Sequence, residues 1–306
     1  MARNPPNQSV NQRDKTENVT RPTDQKTREW RLKRLFVRHK LIGIGAPLVL
    51  FTVLLGLFAP LIMPYGPAQV GVGNILEAPS AAHLLGTDEL GRDTMTRVAF
   101  GARVSLQVGL IAVGIALVAG TFLGLLAGYV GGFLDSLIMR IMDGLMAFPA
   151  LILALGITAV FGPSLSNVMF AIGVTRVPDF ARLARGQVLS VRDLDYVQAA
   201  NAVGASHFRL MFWHILPNIM APIIVLASIN IPAAIIAEAG LSFLGLGVQP
   251  PTPSWGAMIN VAKGYIQESP WLAIAPGTAI VITVLGFNFL GDGLRDALDP
   301  RIKQSG

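Results

Sequence analysis

From Leu41 to Met63 the chain runs without one charged residue, and a run of that length and character has few stable folds open to it. A helix rises 1.5 Å per residue, so about 20 apolar residues cross the hydrocarbon of a bilayer. Similar runs recur along the chain. Val104–Val130 is also uncharged, Ser136–Val160 carries only Arg140 and Asp143, and Asn218–Ala237 and Trp271–Leu290 follow. Ser166–Val177 is too short to span alone and is expected to continue as a helix through Pro178. Six helical spans can therefore be drawn, and the expected fold is an all-α integral membrane bundle.

Composition supports this reading. Only 14% of residues are charged, against about a quarter in soluble domains. That leaves too little polar surface to cover a globule in water. Part of the 32 glycines and 20 prolines lies within the apolar runs, where membrane helices tolerate them. Gly109, Gly114, Gly120, Gly124 and Gly128 in the second span are of the kind that let helix backbones approach closely. Arg140 and Asp143, three apart, share a helical face and are expected to neutralise each other in part. There are no cysteines, which removes disulfides, thiolate metal sites and cysteine nucleophiles together.

Charge is unevenly placed. Met1 to Thr27 is polar and poor in aromatics, and is expected to be disordered. Arg28, Arg31, Lys33, Arg34, Arg38 and Lys40 then crowd against the first span. The cluster fits a cytoplasmic anchor that sets orientation, in preference to a nucleic-acid contact, because the apolar run follows at once. Six spans return the C-terminus, with Arg295, Arg301 and Lys303, to the same side. Arg176–Arg209 falls inside as well, while the Lys- and Arg-poor segments Pro64–Phe100 and Leu241–Pro270 fall outside. The resulting division is 1–40 basic N-terminal segment, 41–63 first helix, 64–103 extracytoplasmic segment, 104–295 transmembrane domain with a cytoplasmic loop at 178–217, and 296–306 cytoplasmic tail.

That loop holds the most informative stretch, Asp195-Tyr196-Val197-Gln198-Ala199-Ala200-Asn201-Ala202-Val203-Gly204-Ala205-Ser206, continuing to His214-Ile215-Leu216-Pro217-Asn218. Asp195 and Gln198 have capping-box spacing. Ala199 and Ala200 are small enough for close packing, and Gly204 can take the positive φ that ends a helix. Ser206 can cap the next helix, and Pro217 is expected to stop it before the fifth span. A short rigid knob between two turns is the result.

The stretch resembles the EAA loop of ABC importer permeases, with Gln198 where that family usually has Glu and His214 where it usually has Ile. Leu85–Asp93, Ala147-Phe148-Pro149, Leu241–Met258 and Gly291–Pro300 narrow the resemblance to the C-type permease of the dipeptide, oligopeptide and nickel branch. The resemblance implies a multi-pass bacterial inner-membrane subunit with both termini cytoplasmic, forming half of a translocation pathway. It implies a homologous second permease, two cytoplasmic ATP-binding subunits and an extracytoplasmic solute-binding protein as partners. By the same resemblance Asp195, Tyr196, Gln198, Ala199, Ala200, Gly204, His214, Leu216 and Pro217 would couple to the ATPases, with Gln198 lacking the carboxylate for an ion pair there.

Other chemistry is poorly served. No Gly-x-x-x-x-Gly-Lys-Ser/Thr occurs, since Lys15-Thr16 and Lys26-Thr27 follow no glycine loop, so ATP is expected to be used by partners and no cofactor is expected. His-Glu-x-x-His and Gly-x-Ser-x-Gly are absent, and His207 and His214 lack carboxylates at ligand spacing, so neither a hydrolase nor a metal site is expected. The Asp88-Glu89 and Arg92-Asp93 cluster is expected to pair internally and cap a helix rather than hold a cation. Asp143, Asn230 and Glu238 are the candidates for the translocation path, with hydrogen bonding or snorkelling the plainer account of Glu238 near the outer boundary. An ion-gradient-driven transporter acting alone is the alternative, and would need such ionisable groups near the midplane.

Overall fold

The computed structural model describes residues 40–298, so the readings of the N-terminal segment before Lys40 and of the tail beyond Leu298 lie outside the described residues. Among the described residues every regular element is a helix, as expected, and β pairing is confined to one isolated bridge between Thr87 and Asp93. Helix α1 is Lys40–Ile62, α2 Thr94–Val130, α3 Gly132–Met146, α4 Ala150–Phe161, α5 Leu165–Val191 and α6 Asp195–Ala202. Helix α7 covers His207–Phe243, α8 Trp255–Ala262 and α9 Trp271–Leu298.

Four of these, α1, α2, α7 and α9, are long and apolar enough to cross a membrane. Two of the expected boundaries change. Ser136–Val160 is not one helix: α3 and α4 meet at a 90° bend across residues 147–149, so together they amount to at most a broken fifth span. Pro149 is the physical reason, since a residue before proline is pushed out of helical geometry. Helix α5 continues through Pro178 as expected, but Arg176, Asp179, Arg182 and Arg185 keep it from qualifying by apolarity. Pro217 does not end a helix either. Leu210–Ile215 widens into a π-turn, and the helix runs on to Phe243. The missing N–H of Pro217 removes one α-type bond just past the widened turn, and the π-turn accommodates that loss.

The centre of the bundle is α2 packed along α5 in parallel. Gly173 of α5 lies against Ala112 and Ile115, Gly120 of α2 against Val177 and Phe180, and Gly128 against Val188, so both chains advance together. A Cβ on Gly120 would stand 2.6 Å from the Val177 carbonyl, inside any tolerable contact, and Gly124 meets the Ala181 backbone in the same way. The expected glycine-mediated approach is thus realised at three successive turns, leaving backbone against backbone. Val108, Ala112, Ile172 and Phe180 join Ile219 and Ile223 of α7 in the main core. Helix α1 lies on α9, where Gly45 and Gly286 permit contact and the buried Thr52 and Thr283 hydroxyls bond at 3.1 Å.

At the other end of α2 from α6, the segment between α1 and α2 is knitted to itself. Asp88 receives the Arg92 Nε at 2.6 Å and the Arg97 Nε at 3.2 Å, and Glu89 receives a second Arg92 nitrogen at 2.5 Å. Asp93 caps α2 by accepting from the Thr96 N–H at 2.7 Å, and also meets the His83 ring at 3.0 Å. The internal pairing expected of this cluster is what the side chains do. Trp255 of α8 is fully buried beside α2 and donates its indole N–H to the Val98 carbonyl at 2.9 Å.

Candidate functional site

Helix α6 is a short knob at the C-terminal end of α2 and α5. Its stop is built as the spacing implied. Gly204 takes φ +84°, its N–H bonds the Asn201 carbonyl at 2.9 Å, and the Ala205 N–H reaches back to Ala200 at 3.1 Å. Those two bonds form a Schellman motif, in which the residue after the helix must sit in left-handed space and the flanking alanines pack inward. Ala200 and Ala205 both pack on the main core. Ser206 caps the following turn by accepting from the Arg209 N–H.

The start of α6 differs from the expected capping box. Leu194 occupies the cap position with no side-chain bond, Asp195 is exposed in the first turn, and Gln198 donates its amide to the Arg192 carbonyl at 3.2 Å. Gln198 therefore works as a donor to the preceding turn, not as a capping acceptor.

Four ties fix the knob to the bundle. Val197 is buried in the main core. Arg192 donates to the Gly128 carbonyl in the last turn of α2 at 2.8 Å, where a cation also suits the negative end of the helix dipole. The Tyr129 hydroxyl and the His207 ring bond at 2.6 Å. The Tyr196 hydroxyl donates to the His214 carbonyl at 3.3 Å inside the π-turn, and the Asn218 amide donates to the same oxygen at 2.6 Å. His214 thus contributes its backbone, which its side-chain identity does not reveal. Leu216 packs on the core, and Pro217 is exposed. A cavity of about 550 Å³ opens between these ties, lined by Tyr129, Arg192, Val197, Gln198, His207 and Met211. Tyr129, Arg192 and His207 were not among the expected coupling residues. Their roles depend on partners up to 78 positions away, which no local spacing encodes.

The outward surface of the knob is apolar for a loop. Leu194, Tyr196 and Val203 are exposed, Val203 at 86%, and Phe208 and Trp213 extend the patch along the start of α7. These five exposed apolar side chains all belong to α6, its flanks and the start of α7.

The three path candidates do not converge. Asp143 pairs with Arg182 of α5 at 2.6 Å rather than with Arg140. Its neighbour Asp135 makes a bidentate pair with Arg185, at 2.5 and 2.6 Å. Asn230 is buried and donates to Leu226 at 2.9 Å. Glu238 is fully buried, so it does not snorkel. Ser242 donates to it at 2.6 Å, and the Ser242 hydroxyl also receives the Val248 N–H at 3.1 Å, tying down the turn after α7. That turn follows directly on the helix, since Leu241–Phe243 still belongs to α7.

The molecule is a helical bundle with several membrane-capable helices and a pinned, apolar-faced knob at one end. Residues 120–304 match the family described as binding-protein-dependent transport system inner membrane component, and residues 30–79 match the N-terminal membrane domain of oligopeptide transport permease C. The chain belongs to the first of these families and is a multi-pass inner-membrane permease. It is 48% identical to a dipeptide transport system permease protein of Alkalihalophilus pseudofirmus, over 92% of this chain and 94% of that one. It is 44% identical to a glutathione transport system permease protein of Pectobacterium atrosepticum, over 88% and 90%. Its fold is similar to a chain of the MetNI methionine ABC transporter, with a TM-score of 0.55 and 19% identity, covering 67% of this chain and 98% of that one.

Proposed function

We propose that this permease forms half of the membrane pathway of an ATP-binding cassette importer for short peptides or a close chemical relative such as glutathione. The relatives at 44–48% identity support the solute class. A homologous permease would supply the other half, two cytoplasmic subunits would bind and hydrolyse ATP, and an extracytoplasmic binding protein would deliver solute. The chain then needs no ATP site, metal or cofactor of its own. Six crossings, with α3–α4 as a broken third and α5 as a charged fourth, put both termini and α6 in the cytoplasm.

The observation that carries this reading is the contrast between the two sides of α6. Its back is pinned to α2, α5 and α7 through Val197, Arg192, Tyr196 and the His207–Tyr129 bond, while Leu194 and Val203 stand in the open. Displacement of such a knob by ATPase closure cannot be absorbed locally and would rock the helices joined to it.

The test uses Val203→Cys in the assembled transporter. It should crosslink to a cysteine in the cleft of an ATPase subunit, and a failure to crosslink in every nucleotide state defeats the coupling role. Gly204→Val gives an independent readout. A Cβ there meets nothing within 4 Å in this chain, so the cost is the left-handed backbone, about 1–2 kcal/mol. Uptake should fall at least tenfold while ATP hydrolysis and membrane levels persist.

A further inference from the structure

Helix α5 carries an open strip whose chemistry departs from the other exposed faces. Thr175, Arg176, Asp179, Arg182 and Gly186 follow one another along it at spacings of one to four residues. Arg176 and Asp179 keep 28% and 34% of their side chains exposed, Arg182 and its partner Asp143 46% and 55%. By comparison α1 exposes Leu50, Phe51, Leu57 and Leu61, and α4 exposes Ile152, Val160 and Phe161, as surfaces in contact with acyl chains should.

Depth makes the contrast informative. The uncharged run Val104–Val130 of α2 marks the hydrocarbon, and the middle of that run lies against the charged part of α5. Gly173 sits by Ala112 and Ile115, and Gly120 by Val177 and Phe180. Arg176 and Asp179 fall between those contacts, abreast of the centre of the apolar run. Exposed charges at that depth face a wet cavity or a partner, not lipid. Two further observations point the same way. The Arg176 Nε is buried without a hydrogen-bond partner, and its link to Asp179 is loose, at 3.6 Å. Helix α3, which carries Asp143, also ends three residues further on at Met146, where the chain bends by 90° into α4, and interrupted helices at membrane depth recur where transporters bind solute.

We propose that Thr175, Arg176, Asp179, Arg182 and Gly186, with Asp143 across from Arg182, line the solute pathway of this permease. Arg176, Asp179, Arg182 and Asp143 alternate in sign and sum to zero, so the strip accommodates a zwitterion better than an ion of one sign. The exposed Arg182–Asp143 pair is the contact that the charged ends of such a solute exchange with. This rests on the importer reading above, and deepens it by assigning the path to α5 rather than to Asn230 or Glu238.

The chain contains no cysteine, so single cysteines report without background from this subunit. The full transporter, its other subunits made cysteine-free, is first assayed for ATP-dependent uptake of alanyl-alanine. Absence of uptake at that stage counts against the importer reading alone. Thr175→Cys, Asp179→Cys, Arg182→Cys and Gly186→Cys are then exposed to membrane-impermeant cationic and anionic methanethiosulfonates across the nucleotide cycle. Gly186 has open space for a side chain and Thr175 carries no charge, so these two report even if removing a charge disturbs folding.

All folded variants should label at least tenfold faster than Phe51→Cys on the lipid face. The anionic reagent should lead at Asp179→Cys, which leaves Arg176 and Arg182 behind, and the cationic one at Arg182→Cys, which leaves Asp143. Alanyl-alanine with the binding protein should slow labelling at least threefold. Labelling no faster than at Phe51→Cys in every nucleotide state, or labelling that the dipeptide leaves unchanged, overturns the proposal.

Discussion

Trp255 is a single residue on which several elements depend. It is fully buried among Val98, Ala102, Leu106 and Ile235, and its indole N–H has the Val98 carbonyl as partner. Trp255→Ala should destabilise the protein by about 3–5 kcal/mol, the usual cost of emptying a large aromatic site. Trp255→Phe should cost less, about 0.5–1.5 kcal/mol for the lost hydrogen bond, because the Val98 carbonyl keeps its bond within α2. Thermal unfolding of the detergent-solubilised transporter would rank the two, and equal losses would show that the packing of the ring contributes nothing beyond the hydrogen bond. At this scale the sequence was legible where a residue acts through its backbone or its immediate neighbours. Gly204 takes the positive φ its spacing called for, and Ser206 caps the next turn. It was illegible where the partner is remote. Asp143 has Arg140 nearby but pairs with Arg182, and nothing local to Glu238 reveals that it is fully buried.

Among the elements, the seam between α2 and α5 sets the strictest limit. Gly124→Leu places a branched side chain where the Ala181 backbone already lies, so neither helix can give way without leaving the other. The variant should lose most of its folded protein from the membrane, whereas Gly114→Leu, which meets nothing within 4 Å, should be tolerated. Quantifying membrane-inserted protein for both variants checks this, and equal levels would refute the seam. Apolar length disclosed α1, α2, α7 and α9 because lipid imposes it directly. The break between α3 and α4 was written only in Pro149, and the π-turn before Pro217 only in a missing donor. Both signals are compatible with several backbones until neighbouring helices choose one. The charges of α5 mimic a loop, and their pairing with α3 becomes visible only once the two helices meet.

At the scale of the whole molecule, the ends of the bundle differ in kind. One is a self-bonded rim around Asp88, Arg92 and Arg97; the other carries the open apolar patch of Val203, Phe208 and Trp213. The proposed orientation places them on opposite faces of the membrane. In intact spheroplasts, an impermeant thiol label should reach Ala81→Cys near the rim but not Val203→Cys, and only lysis should expose the second. Labelling of Val203→Cys but not Ala81→Cys from outside would invert the topology, and labelling of both would refute opposite faces. The glycine seam then has a mechanical consequence. Two helices packed this closely and pointing the same way leave only a thin layer of side chains between them to compress. A push on one end of that double beam arrives at the far end almost undiminished, so the beam swings as a single lath about whatever holds its outer tip. The ion-paired rim, clamped at the beginning of α2, is where such a pivot would stand.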